Sequence, residues 1–176
     1  MMLNKILYRA WQFWQTVTGR LSPQDRQEVA SVLSPDQLAL FKKMPEPEQA
    51  HAVRVLRALK GEGHQDPDLL AAGLLHDVGK CRYPLRVWDR AWIVLAGALL
   101  TSKSNPKGDR LVREDGHPLV IAERHPTWGA EMARRNGSSP LTVWLIRNHE
   151  RRDVEKAGDS RRGRFLNALI RADDRS

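Results

Sequence analysis

A histidine and an aspartate stand side by side at the end of an apolar run, Leu74-Leu75-His76-Asp77-Val78-Gly79-Lys80, and no other stretch of the chain constrains its fold as strongly. Burying two ionisable groups next to Leu74 and Leu75 is costly unless something compensates, and a bound metal cation would do so. Residues able to share such a cation are scattered along the chain: His51 upstream, then His125, His149 and Asp173 downstream. Only a fold that aims widely separated segments at one interior point can use them.

The apolar periodicity is helical almost everywhere. Leu3, Ile6, Leu7, Ala10, Phe13, Trp14 and Val17 recur at three and four, as on one face of a helix that Gly19 ends. Ser22-Pro23, Ser34-Pro35, Asp66-Pro67 and Ser139-Pro140 read as helix starts, each a capping residue followed by proline at the first helical position. Pro45-Glu46-Pro47 opens a helix that carries His51. Further helices are expected over Leu69 to Val78, ending at Gly79; over Leu85 to Leu100; from Pro126 to Arg135; from Ser139 to His149; and from Arg164 to Ala172, delivering Asp173. Ser102 to Gly116 reads as a surface loop with a short helix, and Glu150 to Arg164 as a charged loop. No segment shows sustained strand alternation. The expectation is an all-α chain: an N-terminal helical extension over 1–45 and a single compact helical unit over 46–176.

A length of 176 residues suffices for one domain with a real core, and 41% hydrophobic residues argues against disorder. The 29 basic and 21 acidic side chains leave a net charge of +8, which attracts phosphates, nucleic acids or anionic lipids without choosing among them. The single cysteine, Cys81, allows no intramolecular disulfide and fits a reducing compartment. Arg9, Gln12 and Gln15 interrupt the N-terminal apolar residues and no small-residue cleavage site follows, so a secretory signal is not expected. The apolar run Ala91 to Leu100 falls short of the roughly 20 residues that cross a bilayer. A cytoplasmic location is the expectation. The N-terminal helix, with Lys5, Arg9 and Arg20 beside Phe13 and Trp14, has the make-up of a peripheral membrane contact; packing on the bundle or on a second subunit is the preferred reading.

Each candidate ligand lies on, or at the edge of, a different expected helix, which is how helical bundles build metal sites. His76 and Asp77 point about 100° apart on a regular helix, yet both reach one ion that sits near the helix end. Neutral imidazole and ionised carboxylate suit Zn, Mn or Fe, and carboxylate suits Mg. Taken singly, each residue has a plainer explanation: a hydrogen-bonded core histidine, a helix-end His-Asp pair, a solvated tail at Asp173-Asp174-Arg175. Taken together, the set favours a metal.

The ordered set His51, His76-Asp77, His125, His149, Asp173 resembles the signature of the HD-domain superfamily of metal-dependent phosphohydrolases. Ala71 to Lys80 is similar to its HDIG core, His125-Pro126-Thr127-Trp128-Gly129-Ala130 to its His-Pro-x-x-Gly-Ala stretch, Ile146 to Glu150 to its His-His-Glu segment, and Ala168 to Asp173 to its closing aspartate motif. The likeness runs from about Gln49 to Asp173. It implies an HD-type helical bundle holding one or two divalent ions (Mn, Fe, Mg, Ni or Zn) on His51, His76, Asp77, His125, His149 and Asp173, with Asp77 bridging where two are bound. It also implies hydrolysis of a phosphate ester, of a nucleotide or a related small molecule, by metal-activated water; Asp77 and, by its place four residues past His76, Lys80 are the candidate catalytic residues.

Two departures stand out. Asn148 occupies the place of the first histidine of His-His, and the residues after Glu150 lack the Gly-Tyr-Pro motif of the cyclic-dinucleotide branch. The missing motif argues against that branch; Asn148 and the short tail after Asp173 leave open a degenerate HD module that binds a nucleotide or a protein partner without turnover. A nucleic-acid role is less expected, because Arg151, Arg152, Arg161, Arg162 and Arg164 are interleaved with Asp153, Glu155 and Asp159. Lys80 reads equally as a phosphate contact or a solvated helix-end lysine, and Arg54 more as a surface ion pair than a phosphate ligand. Cys81 reads as a small core residue, His64 and His117 as surface residues, and the six tryptophans as packing groups.

Overall fold

The computed structural model describes residues 20–82, 118–151 and 160–176. The expected N-terminal helix, the Leu85 to Leu100 helix, the loop from Ser102 to Gly116 and most of the Glu150 to Arg164 loop lie outside the described residues. Every regular element among the described residues is helical: α1 Pro23–Val32, α2 Pro35–Phe41, α3 Glu46–Gly61, α4 Pro67–Leu75, a 3-10 turn Val78–Arg82, α5 Pro118–Arg135, α6 Pro140–Asn148 and α7 Arg161–Asp174. None of these helices is long and apolar enough to cross a membrane.

The helix starts follow from local chemistry. Ser22 accepts from the Asp25 amide at 3.1 Å while the Asp25 carboxylate accepts from the Ser22 amide at 2.7 Å, and Ser34 and Gln37 repeat the reciprocal pair. Asp66 accepts from the amides of Asp68 and Leu69, and Ser139 accepts from Thr142 at 3.0 Å. Each satisfies amides that the first turn leaves orphaned, and proline at the first position has no amide to satisfy. α3 begins without a side-chain cap, at Pro45.

α4 is the axis of the assembly. An amphipathic helix hides one face; α4 hides every residue from Leu69 to Leu75. α3, α6 and α7 pack around it, α1 touches it, and α5 lies across its C-terminal end, against the 3-10 turn. Leu56, Leu59, Leu69, Leu74, Leu75, Leu145, Ile146, Leu166 and Leu169 form one cluster that also takes in Val29, Leu40 and Phe41 from α1 and α2. The most deeply buried helix therefore ends by delivering His76 and Asp77 to the end of the core.

The structure moves three expected boundaries. α4 stops at Leu75, with His76 as its C-cap, and the chain tightens into the 3-10 turn, where the Lys80 amide bonds the Asp77 carbonyl at 3.0 Å. The cause is a close backbone crossing with α5. A Cβ on Gly79 would run into the His125 carbonyl oxygen and come within 2.6 Å of the Gly129 nitrogen, while one on Gly129 would come within 3.1 Å of the Gly79 nitrogen. Two glycines facing each other let the turn lie directly on the helix, which sets Asp77 against His125.

α5 begins at Pro118, a full two turns before the expected start, and Pro126 lies inside it. The signal at Pro126 was ambiguous, because proline marks a first turn but is also carried inside a helix at the cost of one amide bond. Here Ile121 and His125, one turn apart and both buried, commit the earlier segment to the core. α7 begins at Arg161 rather than Arg164, because Ser160 caps it by accepting from the Gly163 amide.

Gly79→Ala is expected to destabilise the protein by about 2–3 kcal/mol or more, since both obstructing atoms are backbone and cannot rotate away. Equilibrium urea unfolding, read as a lower midpoint at unchanged slope, checks this.

Candidate metal centre

Asp77 sits at the hub. It is 4% exposed, and four ionisable side chains, Lys80, His76, His125 and His149, stand within 4 Å of its two oxygens. Lys80 donates from Nζ to Asp77 Oδ2 at 2.6 Å, and His76 Nε2 is 3.5 Å from the same oxygen. On the other side, His125 Nε2 lies 3.3 Å and His149 Nε2 3.8 Å from Asp77 Oδ1. His51 Nε2 pairs with Asp173 Oδ1 at 2.8 Å, and that oxygen is 3.4 Å from His76 Nε2. Adjacent imidazoles meet edge to face, with ring centres 5.4 Å apart for His51 and His76, 5.0 Å for His76 and His149, and 5.2 Å for His125 and His149.

All six residues singled out in the sequence as metal ligands thus come together. They arrive on separate elements: His51 on α3, His76 and Asp77 after α4, His125 on α5, His149 at the end of α6, and Asp173 in the last turn of α7. Two triads of ligand atoms result, His51/His76/Asp77 and Asp77/His125/His149, each with its atoms within 4.8 Å of one another. Asp77 belongs to both.

The tautomers are set from behind. His76 Nδ1 meets the Gly73 carbonyl at 2.9 Å, His125 Nδ1 the Ile121 carbonyl at 3.1 Å, and His149 Nδ1 the Ile146 carbonyl at 2.7 Å. A carbonyl only accepts, so each Nδ1 carries a hydrogen, and each ring in its neutral form turns the Nε2 lone pair toward the centre. The consequence is an electrostatic problem. His125 and His149 face each other Nε2 to Nε2 at 3.3 Å, where two lone pairs cannot bond. His76 Nε2 is fully buried and, among the described residues, makes no hydrogen bond.

A buried acceptor without a donor is expensive, and several of them around one carboxylate call for positive charge. Two ligands about 2.1 Å from one cation, at octahedral or tetrahedral angles, stand about 3.0–3.5 Å apart. The 3.3–3.5 Å separations at His76, His125 and Asp77 match that spacing better than they match aligned hydrogen bonds. The donor set, imidazole nitrogen with carboxylate oxygen, fits a divalent transition metal.

The HD-domain family model matches residues 49–172. The chain belongs to the HD-domain family. No curated protein and no solved structure matches it significantly. HD domains form a superfamily of metal-dependent phosphohydrolases, and the His/Asp cluster of this HD domain is compatible with a divalent metal site. The match stops one residue short of Asp173, which the fold nevertheless holds inside α7, bonded to His51.

Other residues of interest fall elsewhere. Lys80 is not a solvated helix-end lysine: its ammonium is paired with Asp77, whose carboxylate and that of Glu48 outweigh burial and raise its pKa. Arg54 is half-buried rather than an exposed ion pair, and its Nε makes no hydrogen bond among the described residues. Cys81 is half-buried, and burial, with the carboxylates of Glu48 and Asp77, pushes its thiol up to about 11, as for an inert packing residue. His64 meets Phe165 edge to face with ring centres 6.4 Å apart, away from the cluster; His117 lies outside the described residues. Sequence reasoning passed over Glu48, 5% exposed and one turn before His51 on α3. Its spacing of three from His51 was the available signal.

In the absence of a metal, a proton is the cheapest cation. Burial alone would lower His76, but the nearby Asp77 and Asp173 carboxylates outweigh it and raise the ring to about 9. His149 goes the other way, to about 3, because burial and the His76 charge both oppose a second cation. A metal taken up between them must displace the His76 proton. Metal-stripped protein at pH 7 is expected to release about one proton as the ion binds, and apparent affinity to rise about tenfold per pH unit until pH 9, then level off. Calorimetric titration in buffers of different ionisation enthalpy measures both.

Proposed function

We propose that this HD-domain protein is a metal-dependent phosphohydrolase that cleaves a phosphate ester of a nucleotide or a related phosphorylated small molecule. The observation that carries the reading is the pair of donor triads sharing the buried Asp77, with three imidazoles locked by backbone carbonyls into the metal-ligating tautomer.

His51, His76, Asp77 and Asp173 would hold one ion, and Asp77, His125 and His149 a second. Bound there, a divalent ion supplies a Lewis acid and an activated water near neutral pH. The chain's own residues do the rest. Asp77 stays ionised against the opposing effect of burial because the Lys80 ammonium stands beside it, helped by the His76 charge until a metal displaces that proton. Lys80 keeps an ammonium at the rim of the cluster, partly open to solvent, where it can meet a phosphoryl oxygen. The backbone carbonyls of Gly73, Ile121 and Ile146 hold the rings against rotation, so little reorganisation is needed when charge develops. The net charge of +8 suits an anionic substrate.

The test is metal analysis of the purified protein followed by a panel of nucleotides and generic phosphoesters with Mn, Fe, Mg, Ni and Zn. Turnover is expected with at least one combination. Asp77→Ala is expected to lower it by about 10²–10³-fold, the worth of several kcal/mol of transition-state stabilisation, with the helical circular dichroism unchanged. Bound metal without turnover of any phosphoester would instead support a binding module.

A further inference from the structure

The two triads are not equally complete. The first has Asp173 as a fourth ligand atom, within 2.8 Å of His51 Nε2 and 3.4 Å of His76 Nε2. Among the described residues the second has Asp77, His125 and His149 as its triad. The neighbouring side chain on α6 that could add a ligand is Asn148, and it is turned away. Its Nδ2 donates to the Trp144 carbonyl at 2.7 Å, one turn back along the helix, and its Oδ1 accepts from Arg151 at 3.3 Å. Neither polar atom is available to the centre.

One residue further on, the geometry changes. α6 ends at His149, still in right-handed helical conformation, and the Arg151 amide then bonds the Asn148 carbonyl at 2.9 Å. That turn fixes the backbone of Glu150 between His149 and Arg151. From there Glu150 reaches back over the cluster and places Oε1 3.6 Å from His125 Nε2. His125 Nε2 presents a lone pair, because its Nδ1 hydrogen is committed to Ile121. A carboxylate oxygen and an imidazole lone pair approach each other only with a cation between them, a proton on the ring or a metal ion, and the same nitrogen already faces Asp77 and His149 in the second triad. The side chain is 59% exposed, so its torsions can adjust without disturbing the core.

We infer that Glu150 is the fourth protein ligand of the second metal ion, doing for His125 and His149 what Asp173 does for His51 and His76. The assignment rests on the metal reading proposed above. The result is a pair of similar four-ligand sites joined at Asp77, in which a carboxylate on the open side closes each ion. A ligand from a solvent-exposed turn is also the one most easily exchanged, so the second ion is the weaker of the two.

Calorimetric titration of the full-length, metal-stripped protein with Mn(II), together with electron paramagnetic resonance of the loaded samples, tests this without reference to turnover. Wild type is expected to bind two ions and show a spin-coupled Mn(II) pair. Glu150→Gln keeps the size and removes the charge; it is expected to weaken the second ion by about tenfold or more, leave the first unchanged, and replace the coupled signal by that of an isolated ion. Asn148→Ala is expected to retain both ions. Wild-type stoichiometry and affinities in Glu150→Gln, or a wild type that takes up one ion only, would overturn the assignment. A wild type that binds no Mn(II), Zn(II) or Fe(II) would overturn the underlying metal reading itself, a separate outcome.

Discussion

The charge on Asp77 governs this structure. A carboxylate at the end of a helix buried on every side has almost no water to solvate it, so the fold must supply compensation from elsewhere. Lys80 supplies part of it directly. The imidazoles supply the rest only if a cation joins them, because three of the four spend their one hydrogen on backbone carbonyls behind them. Helix positions that look arbitrary as packing make sense as the means of gathering these groups. The Gly79–Gly129 crossing exists at the place where His125 must come within reach of Asp77, and nothing bulkier would let α5 approach so closely.

Much of the architecture was legible from local signals. Ser22, Ser34, Asp66 and Ser139 each precede a proline, and each caps a helix where the sequence said it would, because N-capping is a contest decided within four residues. The boundaries that moved were decided at a distance. The stop of α4 at Leu75 depends on α5 lying against Gly79, and the early start of α5 depends on the burial of Ile121; neither partner is visible within the segment itself. Pro126 shows the same limit, since a proline signal cannot distinguish a first turn from an interior position that packing sustains.

The cluster was legible for a different reason. Histidines and carboxylates at the ends of apolar helices are hard to explain singly and easy to explain jointly, and the structure brings His51, His76, Asp77, His125, His149 and Asp173 to one place. What the residue pattern could not convey was orientation. That Asn148 turns back to Trp144 while Glu150 turns inward depends on one hydrogen-bonded turn at the end of α6. The buried Glu48, whose charge acts on Lys80, Arg54 and Cys81 alike, was hidden among the ordinary acidic residues of a first helical turn.

Anomalous diffraction from crystals of the protein grown with Mn(II) addresses the central claim most directly, because it locates the cation without assuming any activity. Anomalous density is expected in contact with Asp77, with His51 and His76 on one side of the carboxylate and His125 and His149 on the other. Well-ordered crystals with no anomalous density at Asp77, and with imidazole nitrogens hydrogen-bonded to one another or to water in its place, would contradict it.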